Sequence, residues 1–516
     1  MSTISTATGT TIDDALRVLL RPDLERIVEL VAYRRGDRYV AHAVDGRVEF
    51  ERRVDGTGWV FDDVLVDGRN PLGDQSPDRF AGLPAEEAER HPVRTRNAYP
   101  HAHEQLAQLF DSAHAPDLVV FHTAGHHWAE QGGHIGEHGS IDVVQARAPF
   151  IIGGRGVRAL GTIAHSIKLV DVAPTIAALL GLPAVGGIGL NGHHRADALL
   201  GRQDGDIVDG LLDRAVPPDH VIGFLLDGTN ANVLYDAIER GELPNLARLA
   251  GLGTTLAHGA FSSLPTITLA NHTTVMTGAH PGHHGVLHNA WWDREHGRQI
   301  ITNDPAQWAT AMDNLLPGVE TLHEALRRHE PDAFTVSVNE PCDRGASWST
   351  FALMREGVRM NFPKLPDDLP HATERFVRPF KDYGWYTRVD HHGMEQATGI
   401  LRGSYLGVDH PRVPRFMWIN ITLTDSAFHE GGPHSEIARA SLVDTDGRIG
   451  EVLAALDERG VFDRCAFYVV ADHGMEQSDP TCTGDWDAAL TEAGLDFRDE
   501  AYGFIYLNPM SPERAS

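Results

Sequence analysis

The 516-residue sequence predicts an α/β protein, with a mostly parallel central sheet covered by helices on both faces, and three observations carry that expectation. Apolar, β-branched runs bounded by Gly, Asp or Pro recur along the chain. Helical patterns with caps and terminal glycines separate them. The runs lack the polar alternation of a half-exposed sheet, which is the mark of strands buried on both faces.

Taken in order, residues 36–68 ("GDRYVAHAVDGRVEFERRVDGTGWVFDDVLV") alternate like a small antiparallel sheet, an accessory β element within a segment 1–94. Strand-like runs follow at 117–125 and 148–154, and "DVAPTIAALLGL" reads as a helix within a segment 95–198. Residues 199–219 are the best linker candidate. The runs at 220–228, 415–425 and 465–474, with "NLARLAGLG" and "RIGEVLAALDERG" as helices, give a core of 220–289 and 411–516. Residues 290–410 mix aromatic, Pro and charged segments around one more strand, 334–338, and read as a cap insertion over the site.

A formal charge of −28 disfavours DNA, RNA and anionic lipid as partners, because long-range repulsion opposes them. A small phosphorylated substrate stays open, since bound divalent ions reverse the local field. The 3 cysteines suit neither a disulfide framework nor a metal finger. The N-terminal stretch lacks a basic region followed by a sustained apolar run, and no run of about 18 apolar residues occurs, so no membrane is expected and the protein reads as cytoplasmic.

Ligands of doubly wound sheets collect beyond the carboxyl ends of strands, so the acidic residues where apolar runs stop are the ones to weigh. Asp227 ends "VIGFLL", Asp425 ends "NITLT", and Asp472 with His473 ends "YVVA". A lone Asp there is usually a turn former or helix cap. Four residues after Asp425 comes His429, a step that brings both side chains to one helix face. In "LPTITLANHTTVMTGAHPGHHGVLHN", Thr268 is placed to open a helix, where free N–H groups favour phosphate and an attacking alkoxide, although Thr266 or Thr268 also reads as a plain N-cap.

These motifs, "FLLDG", "PTITLANH…TG…P..HG…HN", "DSAFH..GGP" and "VVADHGM", resemble the metal-binding motifs of the alkaline phosphatase superfamily, closest to its nucleotide pyrophosphatase/phosphodiesterase branch. The resemblance implies an alkaline-phosphatase-like sandwich and a site for two divalent ions, zinc first, with manganese or another divalent ion as alternatives. Asp227, Thr268, Asp472 and His473 would surround one ion; Asp425, His429 and one further histidine would hold the other. Thr268 would attack phosphorus to form a phospho-threonine, and the amide of Asn289 would donate to a non-bridging oxygen. In the family the remaining histidine follows the Asp-His pair, but no histidine follows His473 here. "HIGEHGSIDVVQARAPFIIGGRGV" resembles the missing C-terminal part of the catalytic domain, with His138 as the ligand, which implies a circular permutation; His126, His127 and His134 are nearby alternatives.

The activity so implied is hydrolysis of phosphodiester or pyrophosphate bonds, with a phosphonoacetate-hydrolase-like enzyme or a phosphomonoesterase as alternatives, and a non-catalytic metal-binding protein as an alternative of another class. Nucleotide-cleaving relatives place an aromatic residue just after the nucleophile, where this chain has Leu269. Trp291, Trp292, Tyr383, Trp385 and Tyr386 are candidates for a stacking surface, although such residues are commonly core. For the phosphonate alternative the cations to consider are Lys168, Lys364, Lys381 and arginines such as Arg344.

Overall fold

The computed structural model describes residues 9–56, 58–82, 92–129, 132–304, 307–359 and 369–509. Two sheets organise them. We number as β1 to β15 the strands Val28–Arg35, Arg38–Ala43, Gly46–Asp55, Gly58–Gly68, Leu118–His122, Phe150–Gly154, Gly161–Ile163, His220–Leu226, Gly253–Leu256, Thr335–Val338, Trp348–Ser349, Phe416–Ile421, Cys465–Val470, Phe497–Glu500 and Phe504–Leu507. Four helices frame the site: α1 (Thr268–Thr277), α2 (Lys381–Arg402), α3 (Leu423–Gly431) and α4 (Glu436–Glu458).

The central sheet has eight strands in the order β11-β10-β12-β8-β13-β6-β9-β7. Its strands run parallel except β6, which is antiparallel to both β13 and β9. The expected α/β class is therefore observed, while the 148–154 run, expected as a parallel strand, is reversed. The uninterrupted apolar runs have a direct cause. Along β8, Val221 and Leu225 enter one core while Ile222, Phe224 and Leu226 enter another, so neither face of the strand meets water.

The second sheet has seven strands, β14-β15-β5-β1-β2-β3-β4, all antiparallel to their neighbours. The accessory β element is thus larger than residues 36–68, and the 117–125 run belongs here instead of in the parallel sheet. Period alone did not separate the two sheets, because β5 is also covered on both sides: Val119 and Phe121 join the core shared with the central sheet, and Leu118 and Val120 face a third core with Trp486. Residues 28–68 and 497–507 join this sheet on opposite sides of β5, where Phe504 pairs with Val119.

Residues 199–219, read as a linker, bury Leu199, Leu200, Gln203, Asp204, Leu211 and Leu212 against the body of the protein. Residues 290–410 add β10 and β11 to the central sheet as well as α2, which packs on α3 and α4. Trp291, Trp292 and Tyr383 are core residues, so they offer no stacking surface; the Tyr383 hydroxyl donates to Asp444 at 2.6 Å. No helix among the described residues is long and apolar enough to cross a membrane.

Candidate active site

Three parallel strands, β8, β12 and β13, stop at the same edge of the central sheet, and their register brings the residues that follow them together. Asp227 follows β8, Asp472 and His473 follow β13, and the turn after β12 leads into α3, which carries Asp425 and His429 on one face. Asp390 of α2 caps α3: its carboxylate accepts the N–H groups of Thr422 at 2.8 Å and Leu423 at 3.0 Å. Gly228 has φ +62° and no side chain, which lets Asp425 approach where a Cβ would lie 2.4 Å from its Oδ1.

Asp227, Asp472 and His473 offer donor atoms that lie within 4.8 Å of one another, and so do His138, Asp425 and His429. In the second group, His138 Nε2 is 3.1 Å from His429 Nε2 and 3.9 Å from Asp425 Oδ1, and His429 Nε2 is 3.5 Å from the same oxygen. Donors around one zinc ion, each at about 2.0 to 2.2 Å, have spacings of this size. The His138 ring also stacks on His473, with centroids 3.8 Å apart, so the two groups adjoin.

All three imidazoles are aimed by the backbone. His138 Nδ1 donates to Thr266 O at 2.9 Å, His429 Nδ1 to Gly136 O at 2.7 Å, and His473 Nδ1 to Gly474 O at 2.9 Å. That leaves each Nε2 facing inward. Asp227 Oδ1, Asp425 Oδ1, Asp472 Oδ2 and His473 Nε2 are buried without a hydrogen-bond partner. Buried orphans of both kinds, converging, fit a cation: they are costly otherwise.

The electrostatics agree. Burial, then the charges of Asp472 and Asp425, push the Asp227 carboxyl well above its ordinary range. Burial also acts against charge on Asp472, but the adjacent His473 outweighs it and holds this carboxyl low. Burial, then His473 and His429, drive His138 well below its usual value, which favours the neutral, ligating ring. Burial opposes charge on His473 as well, yet Asp472 raises it to about 9.

Thr268 is the first residue of α1; Ile267 is the N-cap and no side chain caps the helix. Thr266 is the structural threonine, donating to Ser140 O at 2.7 Å and accepting the Gly139 N–H at 3.0 Å. Two cavities meet at Thr268, Asn303 and Asp425. The larger, about 810 Å³, is lined by Leu269, Trp308, Phe351, Trp385, Tyr386 and Arg359 among others. The smaller, about 340 Å³, holds Asn289, whose Oδ1 is buried without a partner, together with His134, Glu137, His138 and His429.

Of the alternatives to His138, His126 bonds to Gly484 O at 3.1 Å and His127 to Ser478 Oγ at 3.1 Å, both outside the donor groups. His134 and Glu137 form a further group with His429 at the rim. Burial pushes Glu137 up to about 7. Lys168 is paired with Glu104 at 2.7 Å and Arg344 with Glu324 at 2.9 Å, both away from the cavities, and Lys364 lies outside the described residues. Among the described residues, Arg359 is the arginine or lysine that lines the larger cavity, and no motif pointed to it. His272, Asn339 and Asn420 also line that cavity unforeseen; only His272 had a signal, its four-residue step from Thr268.

Paired donor groups at the carboxyl ends of parallel strands, beside a hydroxyl at a helix N-terminus, have the chemistry that metal-dependent phosphoryl transfer requires. The family model for type I phosphodiesterase / nucleotide pyrophosphatase matches residues 221–515, and the chain belongs to that family. It is 26% identical over 161 residues to the alkaline phosphatase PafA of Elizabethkingia meningoseptica, covering 30% of this chain and 26% of that protein. It is 29% identical over 261 residues to an uncharacterized pyrophosphatase/phosphodiesterase of Schizosaccharomyces pombe, covering 49% and 44%. The chain thus spans less than half the length of these relatives. The solved structure of murine ectonucleotide pyrophosphatase/phosphodiesterase 5, an inactive variant in complex with AMP, is similar with TM-score 0.34 and 13% identity over 50% of this chain and 58% of that one.

Proposed function

We propose that the protein hydrolyses phosphodiester or pyrophosphate bonds through a phospho-threonine on Thr268, at a site for two divalent ions, zinc first among them. Asp227, Thr268, Asp472 and His473 would hold one ion; Asp425, His429 and His138 the other. Such ions supply Lewis-acid stabilisation of the attacking and departing oxygens.

The single observation behind a diester substrate is the pair of cavities that meet at Thr268. A phosphorus centred there has room for one ester arm on each side. The Thr268 hydroxyl gives up its proton to solvent as its oxygen forms a bond to phosphorus and the bond to the departing arm breaks, and that arm takes a proton from solvent. Water then attacks phosphorus, the bond between phosphorus and the Thr268 oxygen breaks, and a proton lost by the water regenerates the hydroxyl. The free N–H groups of the first turn of α1 favour the anionic phosphoryl group, and the Asn289 amide donates to a non-bridging oxygen. A neutral donor suits the single charge of a diester. Trp385 and Tyr386 give the larger arm an aromatic wall in place of the aromatic residue that Leu269 replaces.

Because His138 lies outside residues 221–515, the same reading includes a circular permutation, in which residues 95–198 take the place of the C-terminal part of the catalytic domain. The partner is a small phosphorylated molecule. A second reading, phosphonate hydrolysis, draws on Arg359, whose guanidinium would grip a substrate carboxylate.

The deciding assay compares p-nitrophenyl phosphodiesters with monoesters, with added zinc or manganese, for the wild type and Thr268→Ala. Diester turnover that disappears in the variant supports the proposal. A preference for monoesters, or turnover that survives the substitution, overturns it.

A further inference from the structure

Behind Asp227, Asp472 and His473 lies a buried pair that the mechanism above does not use. His272 follows Thr268 by one turn of α1, so both side chains leave the same face of the helix. Its Nδ1 lies 2.8 Å from Glu340 Oε2, and neither side chain is exposed at all. The other Glu340 oxygen accepts the Cys342 N–H at 2.8 Å, so the carboxylate is fixed at both ends. On the far side of the ring, His272 Nε2 has no hydrogen-bond partner and lies 3.7 Å from Asp227 Oδ2 and 3.7 Å from Asp472 Oδ2.

The carboxylate oxygens are divided between two duties. Asp227 turns Oδ1 towards His473, at 3.9 Å, and Oδ2 towards His272. Asp472 Oδ1 accepts the Gly228 N–H at 3.1 Å, and its Oδ2 lies between His473, at 3.1 Å, and His272. His272 stands outside the donor group that converges with His473, so it is placed to hold the carboxylates and not to join them as a ligand. Burying the Glu340 carboxylate is costly, and supporting an inert core histidine would not require it.

We propose that His272, held by Glu340, is a positioning residue for the cation site of Asp227, Asp472 and His473. Its Nε2–H restrains the outer oxygen of Asp227 and the Asp472 carboxylate, so that Asp227 presents Oδ1 alone to the ion. Both ring nitrogens face carboxylate oxygens, Nδ1 that of Glu340 at 2.8 Å and Nε2 those of Asp227 and Asp472 at 3.7 Å, so the role depends on placement. Since α1 carries both Thr268 and His272, one rigid element sets the nucleophile and the carboxylates relative to each other. The inference rests on that group binding a divalent ion.

The test measures zinc affinity by chelator competition, beside thermal melts of the metal-free protein. The paired replacement His272→Phe with Glu340→Met fills the space with apolar atoms and removes the donor. It is expected to weaken one of two bound ions roughly 10- to 100-fold while the metal-free melting temperature holds. His272→Gln, which keeps a donor, should recover most of that affinity. A paired variant that melts like the wild type and holds both ions as tightly overturns the proposal; if it does not fold, His272→Leu read the same way decides. Wild-type protein that binds no ion removes the metal-site reading itself, and this proposal with it.

Discussion

The two donor groups are built differently. Asp227, Asp472 and His473 have side chains 7%, 0% and 0% exposed, whereas His138, Asp425 and His429 are 11%, 23% and 17% exposed. The first group sits where two adjacent parallel strands stop, and both its flanking elements belong to the stretch matched by the family model. The second draws on a helix and on a loop that lies outside that stretch. A buried, strand-anchored group is preformed but electrostatically strained; a group joined from distant segments is more open and depends on their docking.

The largest effect expected is at Thr268, where the two cavities meet. Thr268→Ala should lower diester turnover by at least about 10³-fold while both ions stay bound, which kinetics and metal content together will check. Loss of an ion in that variant would mean that the threonine oxygen matters more to binding than to attack.

Next, His138→Ala should cost one ion, roughly 10²-fold in affinity, and leave the buried group loaded. Two tightly held ions per chain in this variant would remove His138 from the site and with it the case for permutation.

The strain of the buried group is itself measurable in metal-free protein. The folded state raises the Asp227 carboxyl above its ordinary 3.8, so its ionisation costs stability as the pH climbs beyond that value. Asp227→Asn should therefore melt a few degrees higher than the wild type at neutral pH, with the gap closing on acidification. Calorimetry that finds the metal-free variant less stable would show that the contacts of Asp227 within the protein, His272 among them, outweigh that cost.

The smallest effect lies away from both groups, at His283. Its Nδ1 is 2.6 Å from Asp204, in the stretch read as a linker, and its Nε2 is 3.1 Å from Asp111. Burial opposes charge on this ring, but Asp204 outweighs burial and raises it above the ordinary 6.5. The stabilisation is complete below 6.5 and fades as the pH rises through the raised value. The melting temperature of the wild type should thus fall more steeply above 6.5 than that of His283→Gln, as pH-dependent melts will show.

Much of the site was legible in the linear chain because its signals are local. Strand-end Asp227, Asp472 and His473, the four-residue step from Asp425 to His429, and Thr268 at a helix start each depend on neighbours in sequence. His138 was legible only through resemblance, since nothing within its own stretch says what it will face. Arg359, Asn339 and Glu340 gave no signal, because their places follow from how the 290–410 segment folds back. The linker reading failed to foresee burial for a similar reason: Gln203 and Asp204 look solvated until the groups that receive them are in place.

Pattern along the chain fixed which runs become strands, which residues stop them and what kind of chemistry those residues suit, because side-chain periodicity and capping act over a few residues. Folding in three dimensions settled the direction of the 150–154 strand, the merging of residues 28–68 and 497–507 into one antiparallel sheet, and the meeting of His138 with Asp425 and with His429, the latter across 291 positions of sequence. Those outcomes depend on which buried surfaces match and which backbone carbonyl stands behind each ring, and such pairings exist only once distant segments have packed.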